Sequence, residues 1–191
     1  MLDRAKLGDE RAFTELVRQY EDMVYNFSFK VCRDRGDANE TLQDTFVNVY
    51  RKLNQFDGKS KFSTWLYTIV ANNCLMKRRR QKLDKASVSI DEPEMPGHDH
   101  DGSALREASL AAPWNKTPLD ETMTKELRRL LDSAIQKLPV DHRLVFILRD
   151  LEGQSAEETA KIMKLSVSAV KSRLRRARVF LREQLNGYMV S

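Results

Sequence analysis

Apolar residues fall at Phe13, Leu16, Val17, Tyr20, Val24, Phe27 and Val31, a spacing of three and four that holds them on one side of a long helix. Asp9 precedes this stripe as a candidate N-cap, its short side chain suited to accept from the free N–H groups of a first turn. Arg33-Asp34-Arg35-Gly36 breaks the period, and Ala38, Leu42, Phe46, Val49 and Leu53 resume it up to a turn over residues 54–58. A third segment, from Phe62 through Met76, is apolar on much of its circumference, which predicts a helix packed between others. Three such stripes can bury one another, so they predict one compact helical domain over residues 1–85.

Beyond Ala86 the period dissolves. Pro93, Pro96, Gly97, Gly102 and Pro113 punctuate a stretch whose early part holds Asp91, Glu92, Glu94, Asp99 and Asp101. Too few apolar residues recur there to bury a face, so residues 86–117 read as a flexible acidic linker. Thr117-Pro118-Leu119-Asp120 resembles an N-cap followed by a proline at the first helical position, and a second domain over residues 118–191 starts there. Leu127, Leu131, Ala134 and Leu138 line its first helix up to Pro139, and Leu144, Ile147, Leu148 and Leu151 line the next up to Gly153. Ser155-Ala156-Glu157-Glu158 has the form of a capping box and opens a short helix with Ala160 and Met163 inward. Lys164-Leu165-Ser166 makes a turn, and Val167 begins a last helix with Val170, Leu174, Ala177 and Leu181 on its buried side. A short capped helix, a tight turn and a longer helix make a helix-turn-helix. Ser168, Lys171, Ser172, Arg175 and Arg176 lie opposite the buried side, near enough in helical angle to enter a major groove together.

Composition agrees with an all-α chain of two small helical domains, since 7 Gly and 5 Pro in 191 residues are too few for an all-β chain of many tight turns. Charge adds more. The formal net charge of +5 hides one basic cluster at Lys77, Arg78, Arg79, Arg80 and Lys82 and another at Lys171, Arg173, Arg175, Arg176, Arg178 and Arg182. Such clusters are either solvated faces or the footprint of a phosphate-binding protein. Cys32 and Cys74 lie far apart without the Cys-x-x-Cys spacing of zinc or thioredoxin-like chemistry, and are expected to be reduced packing residues. His98-Asp99-His100-Asp101 offers two histidines in a flexible loop, a weak and unorganised metal site, so no metal or cofactor is expected. Three histidines without convergent partners supply no catalytic set, which argues against an enzyme. The first residues lack an apolar signal core and no stretch approaches the length of a membrane span, so a cytoplasmic protein without membrane insertion is expected.

Several segments together carry a family resemblance. They are Asp37-Ala38-Asn39-Glu40-Thr41-Leu42-Gln43-Asp44-Thr45-Phe46, the run from Phe56-Asp57-Gly58 to Trp65-Leu66-Tyr67-Thr68-Ile69 with Asn72 beyond it, Leu138-Pro139, Leu151-Glu152-Gly153-Gln154-Ser155, and Val170-Lys171-Ser172-Arg173-Leu174-Arg175-Arg176-Ala177-Arg178. In this order and at these separations they resemble the extracytoplasmic-function (group four) bacterial sigma factors, which keep only sigma regions 2 and 4. Two positions depart from the family pattern. Lys164 stands where a turn glycine is common, which requires the backbone either to avoid positive φ or to bear strain. Lys171 stands where Arg is frequent and replaces a planar fork with a single charged head.

The resemblance implies a promoter-specific initiation factor for RNA polymerase. The helix from Asp37 to Lys52 would dock on the clamp helices of the largest polymerase subunit through Gln43, Asp44, Asn48 and Arg51, and the flap is a further contact. The loop bearing Lys59, Ser60 and Lys61, with Phe62, Trp65 and Tyr67 beside it, would capture an extruded base of the melted minus-10 element. Stacking on protein then replaces stacking in the duplex. Asn72 would read a base edge, and Lys77, Arg78, Arg79 and Arg80 would hold phosphates. Phe62 is expected in the core, while Trp65 is open between core and contact. Lys171, Ser172, Arg175 and Arg176, with Ser168 nearby, would read the minus-35 element. Arg173 and Arg178 would approach phosphate or cover the domain's own surface. The linker would pass near the polymerase active centre, and an anti-sigma factor would restrain a chain that is monomeric when free. The alternative is a stand-alone helix-turn-helix operator-binding regulator. Such a protein usually carries a ligand or phosphoryl-acceptor domain, and the N-terminal half shows neither a βαβ alternation nor a Gly-rich phosphate loop.

Overall fold

The computed structural model describes residues 1–85 and 125–189. The first domain contains α1 (Leu2–Lys6), α2 (Glu10–Cys32), α3 (Arg35–Lys52), a 3-10 turn (Leu53–Gln55) and α4 (Phe62–Lys85). The second contains α5 (Lys125–Lys137), α6 (Val140–Phe146), which continues into a π-helical turn (Ile147–Leu151), then α7 (Ala156–Met163) and α8 (Val167–Met189). The described residues form no strand. The Thr117-Pro118 N-cap, the acidic linker and the His98-Asp99-His100-Asp101 segment lie outside them.

Caps account for the helix boundaries. The Asp9 carboxylate accepts from the Ala12 N–H at 3.1 Å and starts α2. It also pairs with Arg4 at 2.6 Å, tying down α1, a helix too short to show in the apolar period. α2 stops at Arg33, whose φ of 69° is left-handed and whose N–H reaches the Phe29 carbonyl. Asp34 restarts the chain by accepting from the Asp37 N–H at 2.8 Å. The break is therefore two residues long rather than the expected four, and Arg35 and Gly36 belong to the first turn of α3. α4 runs unbroken through the basic cluster to Lys85, because Lys, Arg and Gln are good helix formers.

Leu16, Val24, Phe27, Val49, Leu66 and Val70 are fully buried where α2, α3 and α4 meet. Each such side chain contributes roughly 1.5–3 kcal/mol by leaving water. In the second domain Leu138, Leu144, Ile147, Leu148 and Ile162 do the same. The helix-turn-helix is built as expected. Ser155 Oγ accepts from the Glu158 N–H at 3.0 Å, while Glu158 Oε2 accepts from the Ser155 N–H at 2.8 Å. Lys164 adopts φ 54° and ψ 46°, and the Leu165 N–H returns to the Ala160 carbonyl at 2.9 Å. The turn thus keeps the left-handed geometry for which glycine is favoured, and the lysine bears a strain of roughly 1–2 kcal/mol. Ser166 Oγ accepts from the Ala169 N–H at 3.1 Å and caps α8.

Candidate nucleic-acid and polymerase interfaces

α8 separates its residues by angle. Val170, Leu174, Ala177 and Leu181 face the core, while Ser168, Lys171, Ser172, Arg175 and Arg176 are exposed on the other side. Two of the arginines expected near DNA are held by the domain itself. Arg178 grips Asp150 with a two-pronged contact, Nε to Oδ2 at 2.8 Å and Nη2 to Oδ1 at 2.7 Å. The hydrogen bond to Asp150 raises its pKa further. Arg173 is half-buried with Nη1 3.9 Å from Asp141 Oδ2. His142 lies in the same neighbourhood, and burial, with Arg173 and Arg176 adding to it, lowers its pKa. The basic face is therefore backed by an imidazole biased toward neutrality, a feature with no signature in the helical period.

On the outer side of α3, Gln43, Asp44 and Arg51 are exposed. Asn48 is placed differently. It is half-buried, and its Nδ2 donates to Asn73 Oδ1 at 3.1 Å, while Asn73 Nδ2 donates to Thr45 Oγ1 at 3.0 Å. This polar chain stitches α3 to α4. Two apolar side chains complete the outer face, Val47 at 47% exposure and Tyr50 at 60%, the latter set edge-on against Phe13 with centroids 5.1 Å apart. Their position at four and seven residues from Gln43 was the available signal.

The loop before α4 leaves Lys59, Ser60 and Lys61 exposed. Lys59 pairs with Asp57 at 2.9 Å, and this contact holds the Asp57 carboxyl below its usual range. Phe62 is buried, as expected. Trp65 combines the two roles left open: it is half-buried, with its ring centroid 5.4 Å from Phe56 and 5.5 Å from Phe62, so one side rests on an aromatic cluster and the rest is open. Asn72 is half-buried and Arg78, Arg79 and Arg80 are exposed. Lys77 is half-buried, and Asp37 at 2.9 Å and Glu40 engage its ammonium group.

The two domains touch along a seam that sequence patterns did not reveal. Arg143, only 4% exposed, donates to the carbonyls of Ile135 at 3.1 Å, Gln136 at 3.2 Å and Leu138, and across the seam to Val31 at 2.7 Å. Arg33 of the first domain donates to the Leu138 carbonyl at 2.9 Å. These acceptors lie at the C-terminal ends of α5 and α2, where carbonyls lack helical partners and the dipole is negative. One buried guanidinium thus caps two helices from different domains. Farther along, the Tyr67 hydroxyl donates to Glu152 at 2.6 Å, Lys30 pairs with Glu152 at 3.0 Å, and Thr64 Oγ1 donates to Gln154 Oε1 at 3.2 Å. Burial, reinforced by Glu152, pushes the Tyr67 phenol up. Tyr67 and Thr64, close to the loop expected to receive melted DNA, are therefore engaged by the second domain.

Comparisons with known proteins agree with this layout. The Sigma-70 region 2 family model matches residues 16–83, and the Sigma-70 region 4 model matches residues 128–181. The chain is 34% identical over 178 residues to the ECF RNA polymerase sigma-E factor of Escherichia coli K12, covering 93% of this chain and 88% of that protein. It is 31% identical over 189 residues to the corresponding factor of Haemophilus influenzae, covering 99% and 95%. Among solved structures, CnrH in complex with the cytosolic domain of CnrY superposes with a TM-score of 0.63 at 25% identity, covering 97% of this chain and 95% of that one. The sigma factor RpoE in complex with the anti-sigma factor NepR from Bartonella quintana gives 0.65 at 23% identity, covering 92% and 98%, a likeness of fold.

Proposed function

Because the chain belongs to the extracytoplasmic-function family of RNA polymerase sigma factors, a family of transcription initiation factors, we propose that its two domains read separate promoter elements for core polymerase. Residues 1–85 bind polymerase and the minus-10 element, residues 118–191 read the minus-35 element, and residues 86–117 connect them. The exposed basic face of α8, set opposite its buried apolar stripe, is the observation that carries this reading. Lys171, Arg175 and Arg176 donate to guanine acceptors, with Ser168 and Ser172 contacting base edges or phosphate. In the first domain, Gln43, Asp44 and Arg51, flanked by Val47 and Tyr50, form the polymerase face. Lys59, Ser60, Lys61, the open side of Trp65, and Asn72 receive the melted strand, while Arg78, Arg79 and Arg80 hold its phosphates. The seam must open for this work, since Thr64 and Tyr67 are engaged across it and two separated elements have to be reached at once. Polymerase fixes the spacing, which raises the effective concentration of each domain at its own element. An anti-sigma factor restrains the chain, and its place of action is the cytoplasm.

Arg176→Ala in holoenzyme is expected to cost roughly 1–3 kcal/mol at the preferred upstream element and to relax preference at one base position. Binding measured across a panel of upstream-element variants tests this. A loss of equal size on every sequence would mean that Arg176 holds phosphate and that the base-reading set is misplaced. Arg178→Ala, which frees Asp150, is expected to lower the thermal stability of the second domain and leave base preference unchanged.

A further inference from the structure

Cys32 and Cys74, 42 residues apart in sequence, bring their sulfurs to 3.5 Å of one another. Cys32 ends α2 and is half-buried, while Cys74 is buried in the middle of α4. Both line a cavity of about 280 Å³ between the domains, whose wall also includes Asp37, Lys77, Leu138 and Arg143. Two thiols can meet simply as packing residues. Here three further observations point to chemistry: the sulfurs face each other, a cavity large enough for a small oxidant reaches them, and one sulfur is more accessible than the other. The hydrogen bond shared with Cys74 holds the Cys32 thiol below its ordinary value against the opposing effects of burial and Asp37, with Thr41 at 3.6 Å and Lys77 also lowering it. The bond to Cys32 and burial together push the Cys74 thiol up. The half-buried Cys32 is the sulfur an entering oxidant meets first, and the buried Cys74 sulfur beside it is placed to resolve it.

We propose that Cys32 and Cys74 are a dithiol site that a hydroperoxide entering the interdomain cavity converts reversibly into an intramolecular disulfide. In the first step the Cys32 thiolate attacks a peroxide oxygen. The S–O bond forms, the O–O bond breaks, and the departing oxygen leaves as water or alcohol after taking up the thiol's proton. In the second step Cys74 sulfur attacks Cys32 sulfur. The S–S bond forms, the S–O bond breaks, and hydroxide leaves as water with the proton of Cys74. Each sulfur gives up one electron and the peroxide oxygens accept both. Closing 3.5 Å to a disulfide bond of about 2.05 Å draws the end of α2 onto α4. Cys32 sits between Val31, whose carbonyl takes Arg143, and Arg33, which holds the Leu138 carbonyl. The site is therefore built into the seam itself.

The test uses the full chain, reduced, desalted and treated with hydrogen peroxide at near-stoichiometric dose. Both thiols are expected to disappear together in a denaturing thiol titration, with the chain monomeric and two hydrogen masses lighter, and a dithiol reductant should restore them. Peptide mapping should show Cys32 joined to Cys74. With Cys74→Ser, Cys32 should stop as a sulfenic acid captured by dimedone. With Cys32→Ser, the buried Cys74 should keep its thiol at the same dose. Survival of both wild-type thiols, separate oxidation without the mapped cross-link, or disulfide-linked dimers would overturn the proposal. The wild-type map decides the matter even if a serine variant loses its fold by circular dichroism.

Discussion

Replacing Gln43 and Asp44 together with lysine should weaken binding to core polymerase by about 100-fold or more while leaving the helical circular-dichroism signal unchanged. Both side chains are exposed on α3, so neither substitution removes packing, and lysine is itself a good helix former. What changes is the charge of the outer face, since Gln43, Asp44 and Arg51 together are formally neutral and two lysines make the set strongly positive. Asp44 loses an acceptor and a negative charge, and two ammonium groups are placed where complementary contacts are proposed. Like charges set against one another across an interface cost several kcal/mol. The neighbouring Val47 and Tyr50 would still be presented, so residual binding would measure their apolar share. Titration of labelled protein with core polymerase checks the prediction, and undiminished affinity would show that α3 docks by another face.

Arg143→Leu should unfold the second domain at lower temperature, with a loss of roughly 1–3 kcal/mol, the range for leaving a buried polar group unsatisfied. The guanidinium is buried against four carbonyl acceptors, and a leucine of comparable bulk would fill space while removing its donors from all four, with Arg33 still reaching the Leu138 carbonyl and the Leu138 N–H the Ile135 carbonyl. Lysine should rescue little, because a single ammonium cannot reproduce a planar fork that reaches both helix ends. Because one of the four acceptors is Val31, the same substitution should also loosen the seam. Thermal unfolding of full-length protein, read together with amide exchange at residues 29–33, follows both effects. Unchanged melting would mean that water replaces the guanidinium at all four carbonyls.

The contrast between Asp9 and Arg143 explains how much could be read from the chain alone. Asp9, Ser155 with Glu158, and the stripes of α2 and α8 were legible because their partners lie within a turn or recur at the helical period, so residue type and spacing carry the whole signal. The same helical periods, with the break in them over residues 86–117, carried the two-domain plan and the exposed face of α8, and the family motifs added the promoter and polymerase roles. Arg143, an arginine within an apolar stretch, carries no local mark of burial. It becomes intelligible only once the ends of α2 and α5 are placed beside it. The same holds for Tyr67 with Glu152, Lys77 with Asp37, and Arg178 with Asp150, pairs whose members lie 28 or more residues apart in sequence. Cys32 and Cys74 show it most clearly, since two isolated thiols in apolar settings read as packing until the register of α2 against α4 sets their sulfurs together. Lys164 illustrates the opposite case. The family pattern left two outcomes open at this turn, a backbone that avoids positive φ or one that bears strain, and the lysine takes the second with φ 54°.

The most direct measurement is run-off transcription with purified chain and core polymerase on a genomic promoter library. Discrete transcripts should start only when both are present, and promoters recovered from the library should share two elements at a fixed spacing. Sequence-specific protection by the chain alone at physiological salt, with no polymerase-dependent transcript from any template, would contradict an initiation factor and favour a stand-alone operator-binding regulator.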